Sequence, residues 1–307
     1  MTRRASVVCI TNQKGGVGKT TTAVSLAAAL AHLGAATLLV DLDPQGNATT
    51  GVGQRVTEGE ESSYTVLVDG HRVSSAVRAT EVADLAIVPS SLDLAGAEVE
   101  LVPAFSREQR LRRALDDARD DYDVILIDCP PSLGLLTINA LVAADQVLVP
   151  IQCEYYALEG LGQLLRTVQL VGDNLNPQLV LLGVLLTMFD ARTNLAQQVV
   201  DEVRDYFGPQ AFATIIPRTV RLSEAPSFGQ PITVFDPSSR GARAYERLAR
   251  EVAERLSLPV EVPEPSRVDR LRARRDDADE TVGRTATLRD GEHGGVTTLR
   301  DDEEARS

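Results

Sequence analysis

The chain has 307 residues, 43% hydrophobic but only 4% aromatic and without Trp, which allows one large α/β domain with a core of Ala, Val, Leu and Ile. Its net charge of −13 argues against a globally basic nucleic-acid binder, while leaving room for a local basic face. No run of about 18 apolar residues is available to span a membrane, and the two arginines near the start precede no long apolar stretch of the signal-peptide kind. Cys9, Cys129 and Cys153 lie far apart with no CxxC pair, which reads as reduced thiols of a cytoplasmic protein rather than disulfides or metal ligands.

Residues 6–11 (SVVCIT) form a short β-rich run that ends in a glycine-rich loop. The Ala/Leu pattern over 20–33 predicts a helix closed by Gly34, and 37–41 (TLLVD) a second strand. Residues 44–84, rich in Gly, Ser and Thr, declare no clear element. A strand is predicted at 85–88, with helices at 92–102 and 106–120. The runs 123–128 (DVILID) and 146–151 (QVLVPI) read as strands. A helix at 157–171, a strand at 179–187, a helix at 194–207, a short strand near 213–216 and a helix at 239–257 complete the pattern. Strands alternating with helices predict a single domain over 1–258, a mostly parallel twisted sheet with helices on both faces. From 259 onward Pro259, Pro263 and Pro265 break the chain, and the segment from Pro263 holds 12 acidic and 9 basic residues. Residues 259–307 are therefore expected to be a disordered charged tail.

Lys14 and Lys19 are the only lysines in the chain. Both stand in the loop Lys14-Gly15-Gly16-Val17-Gly18-Lys19-Thr20, between a predicted strand and a predicted helix. Glycines let backbone N–H groups wrap a phosphate chain, and the following helix directs its positive end at the anion. In that arrangement Lys19 reaches the β- and γ-phosphates of a nucleotide, the Thr20 hydroxyl ligates Mg²⁺, and Thr21 is placed at the α-phosphate. The usual loop has a glycine where Gln13 stands, and here Lys14 follows it. In this respect the sequence resembles the ParA/MinD family of deviant Walker ATPases, over roughly residues 5–257. The resemblance implies that Lys14 crosses a dimer interface to the phosphates of the partner's nucleotide, so that ATP drives a sandwich homodimer.

Two acidic segments end strands, where a parallel sheet gathers its ligands. In Asp41-Leu42-Asp43-Pro44-Gln45-Gly46-Asn47 the resemblance makes Asp43 the residue that orients the attacking water. In Ile127-Asp128-Cys129-Pro130-Pro131-Ser132, Asp128 stands in the Walker B position and is expected to hold the Mg²⁺ shell; this wording matches the ParA/Soj branch, the chromosome-partitioning ATPases. Two later segments, around Arg192 and from Pro217 to Arg221, resemble those that meet DNA and adenine in that branch. Arg192, Arg218 and Arg221 are carried over as DNA phosphate contacts and Pro217 as a neighbour of the base. Arg240, Arg243, Arg247 and Arg250 extend a possible basic face along the last helix.

Three functions compete on this sequence. A nucleoid-associated partitioning ATPase would bind non-specific DNA as an ATP dimer and be released when a ParB/Spo0J-like partner, through a basic N-terminal segment, stimulates slow hydrolysis. The first strand begins near residue 6, so sequence-specific DNA binding is not expected. A MinD-like ATPase acting on a membrane would end in a basic amphipathic helix, which this tail does not offer. A metabolic enzyme on the same fold would lack the paired-lysine loop. The first reading is preferred.

Overall fold

Seven strands pair into one sheet in the computed structural model of the chain, which describes residues 4–154 and 159–260. They are β1 (Ser6–Ile10), β2 (Thr37–Asp41), β3 (Arg78–Ala79), β4 (Leu85–Val88), β5 (Val124–Asp128), β6 (Gln146–Gln152) and β7 (Val180–Thr187). Across the sheet the order is β3-β4-β2-β5-β1-β6-β7. Every pairing is parallel except that of the two-residue β3 with β4. All five positions of β2 and of β5 are buried, as strands sandwiched between helices require.

The helices are α1 (Lys19–His32), α2 (Asn47–Gly51), α3 (Val73–Ala76), α4 (Leu94–Glu100), α5 (Arg110–Leu115), α6 (Leu135–Ala143), α7 (Glu159–Asn174), α8 (Asn194–Phe207), α9 (Val220–Glu224), α10 (Ile232–Phe235) and α11 (Arg240–Leu256). On one face α1 and α11 pack together over Val8, Ile10, Leu39, Leu126 and Leu148. Because strand side chains alternate, Val7, Cys9, Leu38, Val40, Ile125 and Ile127 serve the other face, and they are equally buried. There α5 packs on α6. A hydrogen bond of 3.1 Å between the Thr22 hydroxyl and the buried Tyr245 hydroxyl ties α1 to α11.

The end of α1 shows why its length was legible. Gly34 has φ +86, its N–H donates to Ala31 O at 2.8 Å, and the Ala35 N–H donates to Leu30 O at 3.2 Å. These two bonds satisfy carbonyls that the last turn would leave orphaned, and only glycine takes that backbone angle without strain.

Three expectations are corrected. The predicted strand near 213–216 is not one: that stretch has only isolated bridges at its ends, Val184 with Ala211 and Phe189 with Pro217, so it runs beside β7 without joining the sheet. The predicted helix at 106–120 is regular only in α5, with turns on either side, since the acidic run Asp116–Asp117 and Asp120–Asp121 brings charge rather than apolar spacing. Helix α6 was missed because LLTINALVA is apolar nearly all round; it is a helix buried on most sides, whose periodicity is weak. Among compact units, one holds the chain up to Asp190 and again from Leu195, with Ala191–Asn194 outside it. The tail expected from 259 lies outside the described residues beyond Val260.

Candidate active site

Three adjacent strands deliver the acidic and phosphate-loop residues to one edge. Parallel register sets Ile10 against Asp128 and Asp41 against Asp128, so the C-terminal ends of β1, β5 and β2 lie in a row. The glycine-rich loop leaves β1 and closes into α1 through Gly18, whose φ is +87, with Gly16 at φ +75 just before it. These left-handed angles turn the backbone tightly. No acidic residue stands in the first turn of α1, which leaves its orphan N–H groups and positive dipole end for an anion.

The loop is buttressed from below. Asn12 donates to Pro150 O at 2.7 Å and accepts from the Lys14 N–H at 3.0 Å. The Thr187 hydroxyl, at the end of β7, donates to Val17 O at 2.8 Å. Neither Asn12 nor the Thr187 contact was anticipated. A polar residue placed against a glycine loop was the available signal for Asn12.

The two lysines have different surroundings. Lys19 is 6% exposed and its ammonium donates to Lys14 O at 3.2 Å. Burial lowers its pKa, against the charges of Asp128, Cys129 and Asp43. Lys14 is half exposed and pairs at 3.4 Å with Glu154, itself half exposed; Gln152 holds the other carboxylate oxygen of Glu154.

The carboxylates also divide. Asp41 is fully buried and saturated: one oxygen accepts from the Thr49 N–H at 2.8 Å and the Thr49 hydroxyl at 2.7 Å, the other from the Asp43 N–H at 3.1 Å. Burial raises its pKa to about 6, with the Thr49 bonds opposing. Asp41 therefore shapes the segment. Asp43, nearly buried, accepts from the Gln45 N–H at 3.0 Å in a local turn and keeps further acceptor capacity. Asp128 is the outlier. It is fully buried, yet both carboxylate oxygens lack a hydrogen-bond partner. Burial raises its pKa first of all and the Asp41 charge adds to this; the Thr20 hydroxyl lies near enough to favour the charged form, but not in hydrogen-bonding geometry.

An orphaned buried carboxylate is costly unless something else uses its oxygens. Asp128 and Thr20 supply hard oxygen donors, the kind Mg²⁺ takes in small number while water and phosphate complete its shell. The carboxylates of Asp128 and Asp43 both act on the buried ammonium of Lys19, and Asp41 lies near enough to Asp128 to raise its pKa, so the local arrangement also favours a cation. Among the described residues no cluster of three or more His, Cys, Asp or Glu is arranged to hold a metal alone.

Beside the loop lies a cavity of about 360 Å³ lined by Gly18, Thr21, Thr187, Ile216, Pro217 and Arg218 among others. Its walls join loop backbone to an apolar rim, the shape of a site for a flat base and its sugar. Pro217, expected beside the base, is one of its lining residues. A second cavity of about 250 Å³ adjoins Thr20, Thr21 and Asn47. The arginines expected at DNA are not alike. Arg218 lines the larger cavity. Arg221 is engaged by Glu224 at 3.0 Å and Asp236 at 3.4 Å, with its guanidinium 5.9 Å from the Phe235 ring centre. Arg192 belongs to the segment Ala191–Asn194.

The fold brings two of the cysteines together. Far apart in sequence, Cys9 and Cys129 meet with sulfurs 3.4 Å apart, both fully buried. The register pairs Cys9 with Ile127, two residues before Cys129, so the thiols touch along a diagonal between strands. They are packed thiols, as expected.

The family described as an AAA domain matches residues 5–181. The sporulation initiation inhibitor protein Soj of Bacillus subtilis is 60% identical over 247 residues, covering 80% of this chain and 98% of that protein. The chromosome partitioning protein ParA of Myxococcus xanthus is 56% identical over 249 residues, covering 81% and 88%. Among solved structures, cobyrinic acid a,c-diamide synthase from Mycobacterium smegmatis with bound ADP and magnesium superposes with a TM-score of 0.73 at 40% identity, covering 84% of this chain and all of that one.

Proposed function

The chain belongs to the Soj/ParA family of P-loop ATPases, and from that premise we propose that it is a chromosome- or plasmid-partitioning switch that binds ATP and Mg²⁺, pairs with a second copy and then holds non-specific DNA. Lys19, inside the loop, neutralises the β- and γ-phosphates of its own nucleotide, helped by backbone N–H groups of Gly15 to Gly18. Thr20 and Asp128 hold the metal, which supplies charge neutralisation to the phosphates. Thr21 meets the α-phosphate and Pro217 the base. Asp43, with acceptor capacity to spare, orients the attacking water; phosphoryl transfer needs such positioning more than strong base chemistry.

The observation that carries the dimer is the contrast between the two lysines. One loop has its own phosphate lysine buried at Lys19, so the half-exposed Lys14 has no place in that same cradle. A second subunit's nucleotide gives it one. A site completed in this way turns over slowly alone and awaits a ParB-like partner acting through a basic N-terminal segment. Arg192, Arg218 and Arg221 supply phosphate contacts that the dimer doubles. No helix among the described residues is long and apolar enough to cross a membrane.

A second reading is suggested by the activity named for the M. smegmatis protein. Glutamine-dependent amidation needs an accessible cysteine nucleophile, whereas Cys9, Cys129 and Cys153 are all buried. The test is ATP turnover measured alone, with DNA, and with DNA plus the partner's N-terminal peptide. Stimulation by the last combination supports the switch; turnover that depends instead on glutamine or ammonia supports amidation.

A further inference from the structure

One side of α4 is packed and the other is bare. Leu94, Ala97 and Leu101 are buried at helical spacing, whereas Leu92, Val99 and Val102 on the next stripe are 76%, 75% and 58% exposed, and Phe105 just beyond is 95% exposed. The helical bonding continues far enough for these side chains to share a face, with the Val102 N–H donating to Val99 O at 3.2 Å. Soluble proteins seldom leave several large apolar groups together in water without use for them.

The charge around this stripe has one sign. From Ala79 to Ser106 there is no Lys, Arg or His, and on α4 and just before it stand three acids: Asp93, Glu98 and Glu100. Tyr64, whose hydroxyl donates to Glu100 at 3.0 Å, has its pKa raised by that bond and also by the charges of Glu100, Asp69 and Asp93. The nearest arginines are engaged. Arg107 donates to Val102 O at 2.6 Å and pairs with Glu108 at 3.0 Å, and Arg110 donates to the carbonyls of Leu67 and Val68.

We infer that α4 and the turn after it are the docking surface for a cationic amphipathic segment of a partner protein, its apolar side chains on Val99, Val102 and Phe105 and its basic groups against Asp93 and Glu100. The mode is a helix or extended segment laid on an apolar face with a charged border. A second copy of the same patch would bring acids against acids, and anionic lipid would be repelled as well.

Two contacts connect the α4 region to the segments that carry the active-site acids. Just before α4, the Ser90 N–H donates to the Thr49 hydroxyl oxygen at 2.9 Å, and that hydroxyl donates to Asp41 at 2.7 Å. On the helix itself, Glu98 has a buried carboxylate oxygen with no partner, and it rests on Gly134, where an added Cβ would overlap it. Gly134 precedes α6 on the segment that leaves Asp128. A ligand on α4 therefore bears on the segment after Asp128 through Glu98, and on the Asp41 segment through the turn from Ser90 that leads into the helix. This deepens the partner-triggered switch proposed above and rests on it for the effect on turnover, though not for binding.

The experiment uses the full chain and a fluorescein-labelled twenty-residue peptide of Leu, Ala and Arg with its leucines on one helical face. Controls are a peptide of the same composition in scrambled order and one with Glu in place of Arg. Anisotropy should show the amphipathic peptide binding about tenfold or more tighter than either control, with affinity falling as salt rises. The double variant Val99→Ser/Phe105→Ser should weaken it by a further factor of about ten, and Asp93→Asn/Glu100→Gln severalfold, with ATP affinity unchanged. In the wild type, peptide should slow amide hydrogen exchange over 92–105, a readout that needs no variant. Equal binding of the scrambled peptide, or no protection over 92–105, overturns the proposal. So does loss of ATP-dependent dimerisation in Val99→Ser/Phe105→Ser, which assigns the patch to a second copy, or patch-dependent sedimentation with phosphatidylglycerol vesicles, which assigns it to a membrane. If the peptide docks as described while Lys14→Ala still dimerises in ATP, the docking surface stands and the switch reading fails.

Discussion

The ammonium of Lys14 lies 3.4 Å from the carboxylate of Glu154 in the same chain, with both side chains half exposed to solvent. Reaching a second subunit's phosphates means leaving or sharing that carboxylate. Exposed ion pairs are worth about 0–1 kcal/mol, so the tether is weak and cannot by itself decide whether the dimer forms. Two such pairs are involved per dimer, so Glu154→Gln should change the dimerisation constant in ATP by no more than about thirtyfold. Lys14→Ala should abolish dimerisation while leaving monomer ATP affinity nearly intact, as sedimentation and nucleotide titration can show. A Lys14→Ala protein that still forms the ATP dimer would remove the sandwich.

Lys19 and Asp43 should fail at different steps. Lys19→Ala removes the buried phosphate contact, and ATP binding or hydrolysis should be lost outright. Asp43→Ala should bind ATP and Mg²⁺, stall before hydrolysis and accumulate as a dimer visible by size-exclusion chromatography. Normal turnover in either variant rules out the role assigned to that residue.

Gly18→Ala tests the loop's backbone. The added Cβ would meet Thr187 only at 3.9 Å, an ordinary contact, so the cost comes from φ +87 rather than from a clash. A left-handed residue other than glycine costs about 1–2 kcal/mol. Thermal unfolding of the nucleotide-free protein should show a loss of that size, and nucleotide affinity should fall with it. Unchanged stability would mean the loop turns by another route.

Asp41 predicts an inverted pH dependence for the nucleotide-free protein. Its folded pKa is raised from 3.8 to about 6, so between these values the folded state binds the proton more readily than the unfolded one. Its charge penalty is present above pH 6, is relieved as pH falls through 6 and vanishes below about 4; in full it amounts to about 3 kcal/mol at most. Asp41→Asn lacks this titration. Denaturant melts at pH 7 and pH 5 should show the wild type gaining on Asp41→Asn at the lower pH. A constant gap between the two proteins contradicts the raised pKa.

Arg218 and Arg221 should separate in DNA binding. Phosphate must displace Glu224 and Asp236 from Arg221, so Arg221→Ala should weaken DNA binding less than Arg218→Ala does. If Arg218 contacts phosphate, removing it should lower affinity equally across DNA sequences and make the salt slope shallower by about one per arginine removed. Equal losses in the two variants would mean that Arg221 leaves its ion pairs at no cost.

Local chemistry was enough to read the sheet strands other than β3, the helix α1, the phosphate loop and the three acidic positions. Each is written in consecutive residues: β-branched runs, a Gly34 stop signal, glycines beside lysines, an Asp at the end of an apolar strand. Other features were hidden for the same reason. Helix α6 is buried on most sides, so its sequence carries no polar stripe to reveal its period. The stretch near 213–216 has strand-like residues, but pairing is a property of neighbours, and none offers it a ladder. The sequence singled out Asp43 and Asp128 and left Asp41 without a role; packing supplied the physical difference between Asp41, whose oxygens are used up by Thr49 and Asp43, and Asp128, whose oxygens are buried and unmet. The meeting of Cys9 with Cys129, the pairing of Lys14 with Glu154 and the exposure of the α4 stripe likewise join residues distant in sequence or depend on what covers them. Composition and spacing determine which groups a chain can offer to a ligand; burial and register decide which of those groups remain unsatisfied, and so which are left to do chemistry.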